Sequence, residues 1–408
     1  MGGMHRTEAV SRKRVLKGAI FGIIGLALSS CGVSKMGNLL SDSPTQIPQP
    51  APIDTSDQGE GTKVALLLPL SAPGDTGQIA KSMKQAAELA LIDAGGSGVT
   101  LITKDTLGTA EGASAAASGA LDEGAQLILG PLLGSEVQSI TPIANSKKIP
   151  IIAFSTASSV AANDVYLMSF LPEEEVSNIV RYAGENRLTR VAAILPKSQY
   201  GSVVERSLLN AAATKGVTIA GVTRFPRNPL ALTEPARQAV GVINDPERAV
   251  QAVLIAESGP ILNALETNLQ SNGFNQSKVK ILGTGLWDGG GAGNSRLALG
   301  GLYAGVDPSF AKRFEDRYRQ QYGFLPKRLD SLAYDAVSLA VILARNPQGQ
   351  RYTKAAITNR EGFQGVNGLF RFRNNGTVER GLAILQVQPG SATPVVVSPA
   401  PQFFPPDS

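Results

Sequence analysis

One stretch of the sequence alternates strand, helix and strand so clearly that it limits the possible folds more than any other feature. An apolar run ends at Gly130-Pro131, an amphipathic segment follows from Ser135, and a second apolar run extends from Ile149 to Phe154. Ser135 and Gln138 match a capping box at the start of the predicted helix. Runs this apolar are typical of strands in a parallel sheet that is buried on both faces.

The same alternation continues along most of the chain. Apolar runs predict further strands near 63–69, 99–103, 190–195, 217–222, 252–256 and 279–282. Helical spacing of apolar residues lies between them, and again near 308–322 and 330–344. Pro172, followed by the acidic run from Glu173 to Glu175, predicts the start of a helix by its proline and its first-turn charge, and a second alternation begins there. The sequence therefore predicts an α/β protein with two doubly wound parallel-sheet lobes and a cleft between them.

Polar side chains follow several predicted strands. In such sheets the carboxyl ends of the strands, with the amino ends of the next helices, form the ligand crevice. The candidate ligand-binding residues at these ends are Ser135, Ser155, Thr156, Tyr200, Glu257, Trp287 and Asp288. Simpler interpretations exist: the hydroxyls cap a helix or form a loop, the tyrosine covers its own helix start, and the tryptophan packs in the interior.

The first thirty residues are typical of an export signal. Five basic residues precede the apolar stretch from Gly18 to Leu28, which is too short to span a bilayer. Leu28-Ser29-Ser30-Cys31 then resembles the bacterial lipobox. The resemblance implies cleavage before Cys31 and lipidation of that cysteine. Gly32 in the next position favours the outer membrane over the inner one, with the protein facing the periplasm.

Charge and composition exclude several functions. Without the first thirty residues the chain has 33 basic and 32 acidic residues, so no basic excess remains to bind nucleic acid. The one histidine, His5, lies in the predicted signal, and Cys31 is the one cysteine. Nucleophile systems that need histidine and histidine-ligated zinc are therefore excluded. We predict a protein that is not an enzyme and that uses neither cofactor nor metal.

The chain can be divided by composition and alternation. We assign 1–30 to the signal and the proline-rich 31–61 to a disordered linker that holds the folded part away from the membrane. The first lobe comprises 62–171 with 289–368, and the second comprises 172–288 with 369–388. The remainder, 389–408, is proline-rich and is predicted to be a loose tail.

The order of these features resembles the type I periplasmic-binding-protein family, and within it the leucine/isoleucine/valine-binding proteins. The resemblance covers about 63–388 and rests on motifs that include VALLLPLS from Val64, Leu129-Gly130-Pro131 with Ser135, the run from Ile149 to Thr156, Tyr200-Gly201 and the run from Leu332 to Ala336. It implies two lobes joined by three crossing strands, with the ligand between them.

The resemblance leaves two functions open. Amino-acid-binding members hold the ligand carboxylate with first-lobe groups that match Ser135, Ser155 and Thr156. They hold the ammonium with second-lobe acids, for which Glu257 and Asp288 are the nearby residues here. This implies capture of a small polar, amino-acid-like solute for an ABC permease. As the alternative, the lipobox and linker are similar to the penicillin-binding-protein activator lipoproteins, which use this fold to contact a peptidoglycan synthase. A cell-wall fragment is the second candidate for a small-molecule ligand of the cleft.

Overall fold

The computed structural model describes residues 61–401, apart from 96–97, 293–294 and 392. The predicted signal, the lipidation site at Cys31 and the linker up to residue 60 lie outside the described residues. None of the helices in the described part of the chain combines the length and the apolar character that a membrane span requires.

The first lobe is built on a five-stranded parallel sheet in the order β2-β1-β3-β4-β5. The strands are β1 (Thr62–Leu68), β2 (Val99–Asp105), β3 (Ile128–Leu129), β4 (Ile151–Ala153) and β5 (Val165–Leu167). Their connections are the helices α1 (Asp75–Asp93), α2 (Ala110–Asp122) and α3 (Gly134–Ser146). Residues Val64 to Leu68 of β1 are completely buried because this apolar strand lies inside the sheet under helices.

The second lobe repeats this plan. Its elements in chain order are α4 (Pro172–Glu185), β6 (Arg190–Pro196), α5 (Gln199–Lys215), β7 (Thr218–Phe225), α6 (Thr233–Asn244), β8 (Ala252–Ile255), α7 (Gly259–Ser271), β9 (Lys280–Leu282) and β10 (Leu302–Gly305). The five strands are parallel and lie in the order β10-β9-β8-β6-β7. The strand order reverses beside β6, and such a reversal is where open α/β sheets bind ligands.

The chain then returns to the first lobe. Here it forms α8 (Pro308–Tyr322), α9 (Asp330–Ala344) and the short α10 (Lys354–Ile357). Helix α9 packs on α1, where the Ser82 hydroxyl donates to Asp330 over 2.7 Å. A small antiparallel sheet follows, with β11 (Phe363–Gly365), β12 (Gly368–Phe372) and β13 (Val378–Arg380). The last strands, β14 (Ala383–Gln386) and β15 (Val395–Ser398), extend the second sheet beyond β10 in antiparallel pairing.

Three short segments cross between the lobes, at 168–171, 306–307 and 381–382. Arg380 ties the first crossing to the third: its Nε donates to the carbonyl of Ser169 over 3.0 Å, and its guanidinium lies 5.0 Å from the ring centroid of Phe170. The fold is therefore the two-lobed α/β architecture with three crossings that the resemblance implies.

Three of the assigned segments differ from the structure. Residues Leu302–Gly305 were assigned to the first lobe but pair with β9 and β14 of the second sheet. Residues 369–388 were assigned to the second lobe, yet Gly368–Phe372 belongs to the small sheet. The tail after residue 389 is not wholly loose, because Val395–Ser398 forms the edge strand of the second sheet. Leu302–Gly305 pairs with the distant β14, whereas β12 and β15 pair with strands close to them in the chain. All three are short strands, whose apolar runs are too brief to indicate which sheet they join.

Asp335 on α9 connects the first lobe to the small sheet. Its side chain is buried and accepts hydrogen bonds from the backbone N–H of Val366 (2.7 Å) and from Nδ2 of Asn367 (3.3 Å). Burial raises the pKa of Asp335 to about 6, although the charge of Arg380 and the hydrogen bonds lower it. The folded protein therefore holds the Asp335 proton more tightly than the unfolded chain does.

The pH dependence of stability follows from this raised pKa. The contribution of protonated Asp335 is complete below the ordinary value of 3.8 and is lost as the pH rises through about 6. The expected loss in the free energy of unfolding is about 3 kcal/mol, and Asp335→Asn should remove it. Urea unfolding across this pH range measures the effect, with the exposed Asp316→Asn as control. Parallel pH curves for wild type and Asp335→Asn would contradict the assignment.

Candidate functional site

The predicted first-lobe hydroxyls lie at the carboxyl ends of β3 and β4. Ser155 and Thr156 follow β4 closely, and Ser135 lies in the first turn of α3. Ser135 and Thr156 are exposed, whereas Ser155 is buried and its Oγ accepts the N–H of Ala157 over 3.1 Å. Ser155 therefore shapes the turn, and its neighbour offers a hydroxyl to solvent.

The start of α3 differs from the predicted capping box. The helix begins at Gly134, and the carboxylate of Glu136 accepts the N–H of Leu133 over 3.1 Å. The same carboxylate accepts the hydroxyl of Thr106 over 2.5 Å. Burial raises the pKa of Glu136 against these hydrogen bonds. Ser135 thus takes no part in capping and presents its side chain at the edge of the lobe.

Tyr200 and Glu257 come together on the second lobe, where the strand order reverses. They line a cavity of about 140 Å³ with Arg227, Leu286 and neighbouring residues. The hydroxyl of Tyr200 donates to Oγ1 of Thr284 over 2.7 Å, and burial raises the pKa of Tyr200. The described walls of this cavity all belong to the second lobe, so it does not include Ser135, Ser155 or Thr156.

Glu257 is almost completely buried and forms an ion pair. Nε and Nη2 of Arg227 lie 2.9 Å and 3.3 Å from its two carboxylate oxygens. The backbone N–H of Ser258 donates to the same carboxylate over 3.1 Å. Glu257, which the sequence predicted as a partner for a ligand ammonium, is therefore paired with the Arg227 guanidinium of the same chain.

Trp287 and Asp288 follow β9 and have different surroundings. Trp287 is 2% exposed, packs edge-to-face with Tyr303 and donates its indole N–H to the carbonyl of Glu257 over 2.9 Å. Gly283 must be glycine, since a Cβ there would lie 2.3 Å from the Trp287 ring. Trp287 is thus an interior side chain, as the simpler interpretation had it. Asp288 lies 3.3 Å from Nε of Arg328 and accepts the Tyr303 hydroxyl over 3.4 Å.

The sequence reasoning missed Arg328 and Glu175, which meet between the lobes. Nη2 of Arg328, on the loop before α9, donates to Glu175 of α4 over 2.8 Å. The backbone N–H of Gly285 donates to the other oxygen of Glu175 over 2.9 Å. Burial raises the pKa of Glu175, while the charge of Arg328 lowers it. The acidic run from Glu173 was interpreted as helix-start charge, and no sequence signal linked it to residue 328.

The geometry permits comparison with known proteins. The family model "Periplasmic binding protein" matches residues 61–392. The chain belongs to this family, and its fold is that of type I, leucine/isoleucine/valine-binding-like members. An uncharacterized protein of Rickettsia prowazekii (strain Madrid E) is 23% identical over 261 residues, which is 63% of this chain and 65%, just under two thirds, of that relative.

Solved structures share the fold. A leucine-, isoleucine-, valine-, threonine- and alanine-binding protein from Brucella ovis in a closed conformation has a TM-score of 0.65 and 17% identity, covering 85% of this chain and 97% of that one. The C-domain of LpoA from Haemophilus influenzae, a regulator of PBP1A, has a TM-score of 0.63 and 17% identity, and the match covers 82% of this chain and 100% of that domain. At these identities the likeness shows the fold alone.

The hydrogen bond between Tyr200 and Thr284 can be tested by a double-mutant cycle. Thr284 is completely buried, so Tyr200→Phe should leave its hydroxyl without this partner. We expect Tyr200→Phe and Thr284→Val each to lower the free energy of unfolding by about 1 kcal/mol, and the double variant to lose little more than one single variant. Urea denaturation measures all four proteins. Losses that add within about 0.5 kcal/mol would show that the two side chains are not coupled.

Proposed function

We propose that this chain is a lipid-anchored envelope protein that acts by contacting a peptidoglycan synthase, and that its cleft does not capture free amino acids. The observation that carries the proposal is that both acids predicted to hold a ligand ammonium are already bound by arginines. Glu257 pairs with Arg227, and Asp288 pairs with Arg328.

Electrostatics explains why these pairs disfavour amino-acid capture. A zwitterion enclosed between two lobes needs an acid for its ammonium, because a buried charge without a partner is costly. If an amino acid took Glu257 or Asp288, it would leave Arg227 or Arg328 without that acid. The ligand would have to offset the loss of that ion pair: Arg227, with a side chain 58% exposed, would turn to solvent, and Arg328 would keep only Glu175 of its two carboxylate partners. A regulatory protein has no such requirement, since it needs only a surface for its partner.

The fold comparison supports the same proposal without deciding it. The LpoA C-domain, which matches the fold over its whole length, is a regulator of PBP1A. A proline-rich linker between Cys31 and the folded part would give such a regulator reach through the periplasm. Fold alone does not separate regulators from solute receptors, so the paired acids carry the argument.

A second function, solute capture for an ABC importer, is favoured by the cavity beside Tyr200. It has a volume of about 140 Å³ and lies at the strand ends of the second lobe. Arg227 on its wall is 58% exposed and gives the cavity a cation, while Thr156 offers a hydroxyl on the first lobe. A solute bound there would be uncharged or anionic, as wall fragments are, rather than an amino acid. If such a solute also contacts the first lobe, Thr156→Val should weaken its binding by about 1 to 3 kcal/mol in calorimetry. Equal affinity of wild type and Thr156→Val would place the solute on the second lobe alone.

Thermal unfolding and affinity capture test the proposal together. We expect that no free amino acid raises the melting temperature of the lipidated protein, and that this protein captures a peptidoglycan synthase from envelope extract. The opposite result would be a rise with one amino acid that disappears in Glu257→Gln but persists in Glu205→Gln. Glu205 is a suitable control because it also pairs with an arginine, Arg224, on the same lobe. That result would establish amino-acid capture.

Lipidation at Cys31 is tested separately. Because Cys31 is the one cysteine of the chain, Cys31→Ser should abolish lipid attachment and leave an uncleaved or soluble form. Palmitate labelling and membrane fractionation measure the change, and separation of inner from outer membranes tests the outer-membrane preference. Unchanged labelling and fractionation of Cys31→Ser would rule out the anchor.

A further inference from the structure

Arg328 connects the two lobes through its guanidinium. It lies on the loop between α8 and α9, and α9 packs on α1 of the first lobe. Its two carboxylate partners, Glu175 and Asp288, lie on α4 and after β9 of the second lobe. The guanidinium also stands 4.1 Å from the ring centroid of Phe170 in the first crossing segment. One side chain of the first lobe is thus surrounded by groups of the second lobe and of the crossing.

These groups have the composition of a guanidinium-binding site. One carboxylate accepts a charge-assisted hydrogen bond, the second supplies an opposite charge, and an aromatic face supplies a cation–π contact. Arginine is suited to such a site because its planar fork binds carboxylates and stacks on rings. Nη2 of Arg328 donates to Glu175 over 2.8 Å, whereas Nε lies 3.3 Å from Asp288 in an ion pair.

The second lobe orients these acids by groups of its own. The N–H of Gly285 donates to Glu175, and a Cβ at position 285 would lie 2.0 Å from that carboxylate, so only glycine leaves room for it. The hydroxyl of Tyr303 donates to Asp288. Neither contact involves Arg328, so the second lobe helps to position both acids with groups of its own.

The same turn of α4 makes two more contacts outside its lobe. Glu173 accepts the hydroxyl of Ser158 from the first lobe over 2.6 Å. Glu174 pairs with Arg373, which follows β12 of the small sheet, over 2.6 Å. All three glutamates at the start of α4 therefore bind groups from outside the second lobe, and the lobes are held together by the chain's own side chains.

We propose that Glu175, Asp288 and Phe170 form a guanidinium-binding site that Arg328 occupies from within the chain. The lobes of this protein then close without a ligand, with Arg328 in the role of a tethered ligand. An external guanidinium ligand, or less effectively an alkylammonium, competes with Arg328 and opens the lobes. This inference does not depend on whether the chain contacts a peptidoglycan synthase.

Arg328→Met tests the proposal, because methionine keeps an apolar stem beside Phe170 and removes the charge. Small-angle X-ray scattering should give Arg328→Met a larger radius of gyration than wild type. Methylguanidinium at low millimolar concentration should fill the vacated site and raise the melting temperature of Arg328→Met. Occupation of the same site in wild type should need at least about tenfold more methylguanidinium, because the tethered Arg328 competes for the site at an effective concentration in the millimolar range.

Arg227→Met is the matched control. It also removes an arginine from a buried glutamate, but Arg227 and Glu257 both belong to the second lobe. It should lower the melting temperature without changing the radius of gyration. Methylguanidinium should not distinguish it from wild type in either measurement.

The proposal is overturned if Arg328→Met keeps the wild-type radius of gyration, or if methylguanidinium acts on it as it acts on Arg227→Met. If Arg328→Met does not fold, the proposal is tested on the wild-type protein instead. Saturating methylguanidinium should then enlarge the radius of gyration of wild type at temperatures where circular dichroism shows native helix content. It should have a weaker effect in Glu175→Gln, which lacks one acid of the site. No expansion of folded wild type would overturn the proposal equally.

Discussion

The Glu175 carboxylate is buried between the lobes, and the arrangement of the lobes and of the loops around it depends on this constraint. α4 starts at Pro172 directly after the first crossing, so Glu175 is fixed close to the hinge. A buried carboxylate without a partner costs several kcal/mol, and the groups that satisfy it come from both lobes, Gly285 from the second and Arg328 from the first. The two lobes cannot separate at this point without exposing or unpairing a charge. The Glu175 side chain therefore couples the contact between the lobes to the loop after β9 and to the loop before α9.

On our proposal, this coupling lets a receptor fold close without a bound ligand. A solute receptor leaves part of its cleft unsatisfied, so that ligand binding supplies the groups that draw the lobes together. Here an arginine of the chain supplies the cation, and a second arginine covers Glu257. On our proposal, the difference from an amino-acid receptor lies in a few charges and not in the architecture. Fold comparison is insensitive to such charges, which is why an amino-acid-binding protein and a regulator of PBP1A both match this fold.

The sequence predicted elements whose signals are local. Helices α8 and α9 have the predicted limits, because Pro308 opens the first and Gly323, in a left-handed conformation, closes it, while α9 is apolar at most of its positions. The hydroxyls of Ser135 and Thr156 lie at the predicted edge for the same reason, since a strand end is a local property. The assignments failed at short strands. Leu302–Gly305 pairs with the distant β14, and Val395–Ser398 pairs with the nearby β14 but lies in a proline-rich stretch whose composition indicated a loose tail. The pair of Arg328 and Glu175 spans 153 residues and has no periodic or spacing signature.

The lobes meet at Arg328 through ion pairs and not through apolar packing, and this difference has a physical consequence. A buried ion pair adds little net stability compared with apolar residues of the same size, because desolvation offsets most of the attraction. It does make one arrangement much better than its near neighbours, since a displaced guanidinium loses both acids at once. On our proposal this contact is also open to exchange, because Gly285 and Tyr303 of the second lobe contact Glu175 and Asp288 independently of Arg328. An apolar side chain in place of Arg328 could also hold the lobes together, but no charged site would remain when it left. The chemistry of this contact therefore favours reversible closure of the lobes over permanent closure.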